Sequence, residues 1–239
     1  MNMSTYGHLI EWIRQTVGNA SVVIGISGGK DSSVVATLCR NALGPSRVYG
    51  VEMPDGEQWD IDKSDKLIDF LGIQKIKVNI HPAVEAAYAC LPYPRDGLKS
   101  TVTTNLPARI RMATLYNIAA QIGNCRVANT CNLSEDYIGW STKFGDSAGD
   151  FGPISKLTCT EVIKLGESLG IPDDLVHKAP SDGMCGSTDE EKFGFTYQEL
   201  DSYIRGVNIS SPAVTSKIEK MHAGAMHKIL PMPTFDPKY

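Results

Sequence analysis

Apolar residues along this chain fall into two kinds of pattern. Short stretches rich in apolar residues occur at 21–26 (SVVIGI), 47–53 (RVYGVEM) and 125–129 (CRVAN), and 74–78 (QKIKV) reads as a further strand. Stretches of this length without strict alternation fit strands of a buried parallel sheet. Between them, apolar residues recur at helical spacing: Leu9, Ile10, Ile13 and Val17 within 8–17, then Val34, Val35, Leu38 and Ala42 within 31–43. Each set makes one apolar stripe on a helix. Further helices are predicted over 57–71 and 103–123. Alternation of this kind predicts an α/β protein with a doubly wound parallel sheet flanked by helices. Such sheets bind ligands beyond the carboxyl ends of their strands. The residues just after Ile26, Met53 and Asn129 are therefore predicted to gather at one rim.

The second half of the chain changes character. Residues 141–157 carry little apolar periodicity and several Gly and Asp residues. An irregular stretch of that length in a folded domain is usually functional or mobile. A helix is predicted over 158–169, where Thr158 and Glu161 stand at capping-box spacing. Two more are predicted near 196–204 and 212–228, giving a helical C-terminal portion. Segments 82–101 and 182–194 combine Gly or Pro with charge and are predicted to be mobile without ligand. No repeat and no Pro-, Gly- or Ser-rich linker divides the chain, so residues 1–239 are read as a single domain.

Composition narrows the function classes. The 239 residues include 23 basic and 27 acidic side chains, a net charge of −4, which disfavours a nucleic-acid surface as the main business. The six cysteines, at 39, 90, 125, 131, 159 and 185, form no C-x-x-C pair, so thiolate metal sites are not expected. No apolar run approaches the roughly 20 residues needed to span a bilayer. The N-terminal residues lack the layout of a signal peptide. A cytoplasmic location is expected, with no membrane partner.

The sharpest chemical signal is Gly25-Ile26-Ser27-Gly28-Gly29-Lys30-Asp31-Ser32, between a predicted strand and a predicted helix. Glycines let backbone N–H groups approach an anion, and a helix start adds positive potential. Asp31 follows Lys30 where a Walker A loop would have Ser or Thr. A carboxylate beside phosphates repels them unless a cation intervenes, so Asp31 points to Mg2+, which commonly joins carboxylates to phosphate oxygens.

This loop resembles the SGGxDS loop of the ATP pyrophosphatase superfamily, whose members cleave ATP between its α and β phosphates and adenylate a substrate. Other stretches resemble NAD synthetases in particular: Asn105 to Met112 (NLPARIRM), Thr130 to Glu135 (TCNLSE), Thr142 to Asp146 (TKFGD) with Asp150 and Pro153, Lys178 to Ser181, and Asp189-Glu190 with Gly194 and Tyr197. His227-Lys228 before Phe235-Asp236 resembles the family tail. The resemblance implies ATP-dependent amidation of deamido-NAD with ammonia, through an adenylated carboxylate, giving NAD+, AMP and pyrophosphate. It implies that Gly25, Ile26, Ser27, Gly28, Gly29, Lys30, Asp31, Ser32, Thr130 and Ser181 contact ATP. Asp31 and Glu135 would hold Mg2+, and Arg109, Lys143, Asp150, His227 and Lys228 would contact deamido-NAD. Asp146 or Asp150 is a candidate to take the ammonium proton, with Asp146 placed among the catalytic residues. A homodimer whose substrate site uses both subunits is also implied. The 24 residues before Gly25 leave no room for a glutaminase portion, so free ammonia is the expected donor.

Plainer readings stay open residue by residue. Glu135 alone reads as a solvated carboxylate at a helix start, Arg109 and Arg111 as surface arginines, and His227 as a surface or core histidine. Arg111 in particular is as readily structural as ligand-binding. The family has a Lys where this chain has Cys159, and usually Gly where it has Asn129. Lys30 and Lys156 are the candidate replacements for the missing cation, with Lys156 preferred. Rival functions are another adenylating enzyme, a nucleotide-binding module without catalysis, or nucleophilic catalysis by Cys159.

Overall fold

The structure is a computed structural model that describes residues 3–57, 61–92, 100–177, 188–207 and 211–237. Strands β1 (Ser21–Gly25), β2 (Val48–Glu52), β3 (Gln74–Lys77) and β4 (Cys125–Val127) form one parallel sheet in the order β3-β2-β1-β4. β1 lies inside the sheet and is buried on both faces. Val22 and Ile24 enter one core cluster and Val23 the other, which is why this stretch shows no alternation of polar and apolar residues.

Helices α1 (Met3–Val17), α2 (Lys30–Leu43) and α3 (Ile61–Leu71) pack on one face through Ile13, Leu38 and Leu67. On the other, α4 (His81–Ala89) and α5 (Ser100–Ile122) pack through Val84, Met112 and Leu115. The sheet is therefore doubly wound, as the alternation predicts. The chain runs from β1 outward through β2 to β3, then returns to place β4 on the other side of β1. That reversal makes the carboxyl ends of β1 and β4 the switch point at which a crevice opens.

Short helix α6 (Leu133–Ile138) follows β4. After the irregular stretch come α7 (Cys159–Ser168), α8 (Asp173–Val176), α9 (Asp189–Phe193), α10 (Tyr197–Ile204) and α11 (Pro212–Ile229). Thr158 caps α7 in the capping box expected from the sequence. A third cluster joins Ile138, Cys159, Phe193, Tyr197, Leu200 and Ile218, so the helical C-terminal portion has its own packed centre against the start of α7.

Parts of the two segments expected to be mobile are helical. Within 82–101, residues 81–89 form α4, with Pro82 in its first turn and Val84 and the preceding Ile80 buried. Within 182–194, Thr188 and Glu191 make a full capping box for α9, and Phe193 is buried against Trp140 and Tyr197. A single buried anchor in a short helix leaves no periodicity to read. The rest of these two segments, 93–99 and 182–187, lies outside the described residues.

Phe193→Ala is expected to lower the unfolding free energy by about 3–5 kcal/mol, the usual cost of removing a buried phenylalanine. Urea denaturation measures it. A loss below about 1 kcal/mol means that α9 does not anchor this cluster.

Candidate active site

The loop after β1 owes its shape to a few local constraints. Ile26 N–H donates to Val51 O at 2.9 Å, so the sheet pairing runs one residue past β1. Ser64 Oγ of α3 donates to Ile26 O at 3.1 Å. Gly28 has φ 69°, and a Cβ there would lie 2.8 Å from Lys63 Cβ and 3.1 Å from Ser64 N, so no other residue fits. Ser32 Oγ accepts from Ser27 N at 3.3 Å and contacts Ser27 Oγ at 3.1 Å. Gly29 caps α2 in extended conformation without a side-chain acceptor, leaving this helix start suited to an anion.

Asp31 in the first turn of α2 meets Glu135 in the first turn of α6. Asn132 joins them: its Oδ1 accepts from Glu135 N at 3.1 Å as the α6 cap, and its Nδ2 donates to Asp31 Oδ1 at 3.0 Å. Lys30 Nζ lies between the two carboxylates, 2.8 Å from Asp31 Oδ2 and 3.7 Å from Glu135 Oε1. Its side chain is only 5% exposed. Burial by itself lowers the Lys30 pKa, but Asp31 and Glu135 more than offset this and raise it, so the ammonium stays charged. Burial and the neighbouring Asp31 push the Glu135 carboxyl up, against the pull of Lys30. Two oxygen-donor carboxylates at a phosphate loop suit Mg2+, which is usually completed by water and substrate phosphates.

Lys30 is the cation beside Asp31 and Glu135, 2.8 and 3.7 Å away. Lys156 acts on Asp136 instead, and its carbonyl accepts from Arg205 Nη2 at 3.0 Å. Cys159 is buried beside Lys30, and burial pushes its thiol up to about 12, which removes it as a nucleophile at neutral pH. The α7 start holds no free amide for an anion. Cys159 N donates to Ser134 Oγ, Thr160 N to Asp201 Oδ2, and Glu161 N to Thr158 Oγ1.

A second group gathers around the irregular stretch. Arg109 Nε donates to Lys143 O at 3.2 Å, and Lys143 Nζ reaches His227 O. Lys228 Nζ donates to Gly139 O at 2.8 Å and Ser141 O at 2.9 Å, tying α11 to the end of α6. Asp150 Oδ2 accepts from Val127 N at 2.7 Å and its Oδ1 from Tyr116 Oη at 3.2 Å. Asp146 is exposed, with Oδ1 accepting from Thr142 N at 2.9 Å. A cavity of about 320 Å3 lies here, lined among others by Tyr116, Lys143, Phe144, Lys228, Leu230 and Met232. Phe144 takes a left-handed backbone, φ 64°, which is uncommon outside glycine and clusters at functional sites.

Most of the sequence-derived site residues thus fall into two places: the loop 25–32 with Glu135, and the group of Arg109, Lys143, Asp146, Asp150, His227 and Lys228 around the irregular stretch, of which Lys143 and Lys228 line the cavity. Thr130 is half-buried between them, just past β4. Ser181 lies outside the described residues. Arg111 proves structural: its Nε donates to Met53 O at 3.0 Å, bracing the end of β2.

Three contributors escaped the sequence reading. Asn132 was legible as an N-cap three residues before Glu135, but not as the partner of Asp31. Tyr116 carried no signal. Asn129 proves to be a hub: Nδ2 donates to Asp146 O at 2.8 Å and Ala148 O at 2.9 Å, and Oδ1 accepts from Cys131 N at 2.8 Å. Its partners lie up to 19 residues away, beyond any local pattern.

A doubly wound sheet, an uncapped helix start behind a glycine loop, and carboxylates at the switch point define a nucleotide-binding α/β protein. Within that class the chain belongs to the NAD synthase family, whose family model matches residues 5–232. It is 40% identical over 205 residues to the NH(3)-dependent NAD(+) synthetase of Methanococcus aeolicus, covering 83% of this chain and 80% of that one. It is 36% identical over 233 residues to that of Mycoplasmopsis pulmonis, covering 95% and 88%. The solved NMN synthetase from Francisella tularensis superposes with TM-score 0.88 at 32% identity, over 100% of both chains.

Asn129→Gly is expected to speed amide exchange across 142–150 by about tenfold or more, since three hydrogen bonds of about 0.5–1.5 kcal/mol each are lost. Exchange in β1 and α2 is expected to stay unchanged. Equal exchange in the 142–150 stretch of both proteins overturns the assignment of Asn129 as its anchor.

Proposed function

We propose that the chain joins ammonia to the nicotinate carboxylate of deamido-NAD at the expense of ATP, releasing NAD+, AMP and pyrophosphate. The observation that carries this reading is the pair Asp31 and Glu135, brought by Asn132 to the phosphate loop of a NAD synthase family member. The loop amides and the α2 start hold the phosphates, with Ser27 and Ser32 shaping the turn. Thr130 and Ser181 are assigned to ATP. Arg109, Lys143, Asp150, His227 and Lys228 are assigned to the nicotinate nucleotide, Arg and Lys matching its phosphates and carboxylate.

In the first step a carboxylate oxygen attacks the α-phosphorus, the bond to the β-phosphate bridging oxygen breaks, and pyrophosphate stays on the loop. Ammonia then attacks the activated carbonyl, its nitrogen loses a proton, and AMP leaves with the bridging oxygen. No protein nucleophile takes part, so positioning and charge stabilisation carry the rate. Asp146 is exposed on the loop beside the cavity and is assigned the proton. Mg2+, held by Asp31 and Glu135, supplies charge neutralisation on the phosphates when bound.

The same reading makes the protein a homodimer. Leu230, Met232 and Phe235 of the tail and Phe144 beside the cavity are exposed, an apolar surface of the kind a second copy covers. A cytoplasmic setting goes with that reading. No described helix is long and apolar enough to cross a membrane.

One comparison favours a second reading, with nicotinate mononucleotide as the acceptor. The match to an NMN synthetase spans both chains completely. Competition between the mononucleotide and deamido-NAD in one reaction mixture separates the two. The dinucleotide is expected to be amidated with the higher kcat/KM, and a higher value for the mononucleotide installs the second reading.

Two further outcomes test the chemistry. AMP and pyrophosphate are expected as products by phosphorus NMR, and ADP as the main product ends the adenylation reading. Asp31→Ala and Glu135→Ala are each expected to lower turnover at least about a hundredfold, or roughly 2.7 kcal/mol. A folded variant with near-normal turnover at limiting Mg2+ removes that residue from the metal site.

A further inference from the structure

We infer that Lys30 is a built-in counter-ion that keeps the Asp31–Glu135 pair closed to divalent metal until a nucleotide arrives, so that metal and ATP enter together. The inference rests on the reading of these carboxylates as metal ligands. Lys30 is the first residue of α2, and its stem is buried rather than extended toward solvent. The ammonium is 2.8 Å from Asp31 Oδ2 and 3.7 Å from Glu135 Oε1. The other Asp31 oxygen accepts from Asn132 Nδ2 at 3.0 Å. The Tyr197 ring centroid is 5.7 Å from Nζ, and the buried Cys159 is a further neighbour. The ammonium therefore occupies the ground that a metal on these two carboxylates needs.

A divalent cation held by the same pair stands within ion-pair range of Lys30, and like charges at that range repel strongly in a half-buried site. Asp31, Glu135 and Lys30 together offer at most one net negative charge, too little to draw a strongly hydrated divalent ion from water. ATP changes the balance. Its phosphates give the ammonium an alternative charge-assisted partner and give the metal additional oxygen ligands. Lys30 thus has two duties in sequence: counter-ion to the carboxylates in the empty site, and phosphate partner in the loaded one.

The test uses Mn2+ as the probe, followed by electron paramagnetic resonance of the free ion, with the full chain and no nicotinate substrate. Wild type, Lys30→Met and Lys30→Gln are titrated with and without α,β-methylene-ATP. Without nucleotide, both variants are expected to bind Mn2+ about tenfold more tightly than wild type or better, since a unit charge at ion-pair distance has been removed. With the analogue bound, that gap is expected to shrink. Equal nucleotide-free affinities in wild type and variants overturn the inference. Wild type alone gives an independent check, because tight Mn2+ binding without nucleotide, equal to that with the analogue, overturns it as well. Asp31→Asn with the analogue separates this from the underlying reading. If Asp31→Asn weakens Mn2+ binding while the Lys30 variants match wild type, only the counter-ion role falls. If Asp31→Asn leaves the affinity unchanged, the assignment of the carboxylates as metal ligands falls.

Discussion

The site depends on the parallel pairing of β1 with β4. That ladder sets Val22 beside Arg126 and Val23 beside Val127, and so brings the loop that leaves β1 alongside the chain that leaves β4. Residues far apart in sequence then become neighbours at one rim. Asn132 converts this proximity into fixed geometry, reaching Asp31 across 101 residues with one amide while its oxygen caps α6. Cap and bridge are the same side chain, so the position of Glu135 and the orientation of Asp31 are set together.

Hydrogen-bond accounting separates the two helix starts near these carboxylates. α7 begins near the same carboxylates, but its first amides are taken by Ser134, Asp201 and Thr158. α2 begins at Gly29 without a side-chain cap. A satisfied helix start has little left to offer an anion, and an uncapped one does. The cation follows the same logic. The ammonium of Lys30 reaches both carboxylates from within the loop.

The irregular stretch is ordered by tertiary bonds rather than by secondary structure. Asn129 fixes the Asp146 and Ala148 carbonyls, Asp150 closes onto β4, and Lys228 binds α11 to the end of α6. These ties hold Lys143 and Phe144 at the cavity mouth beside the tail residues Leu230 and Met232. A loop fixed at several points keeps binding groups in place at small entropic cost when ligand enters.

The sequence by itself determined the sheet, its flanking helices and the phosphate loop. These rest on local signals: apolar stretches, helical periodicity, a glycine-rich turn, and Thr158 three residues before Glu161. It also carried the family resemblance, since motif residues are read in order along the chain. It missed α4 and α9, short helices each held by one buried anchor, Val84 and Phe193. It favoured Lys156 over Lys30, judging by distance along the chain to position 159. Only the tertiary structure shows the ion pair of Lys30 with Glu135, the hub at Asn129, the bracing contact of Arg111, and the bridge from Asn132 to Asp31. The physical reason is common to all four. Each joins side chains or chain segments that are remote in sequence, and such partners exist only once strand order and helix packing have brought them within hydrogen-bond or ion-pair reach.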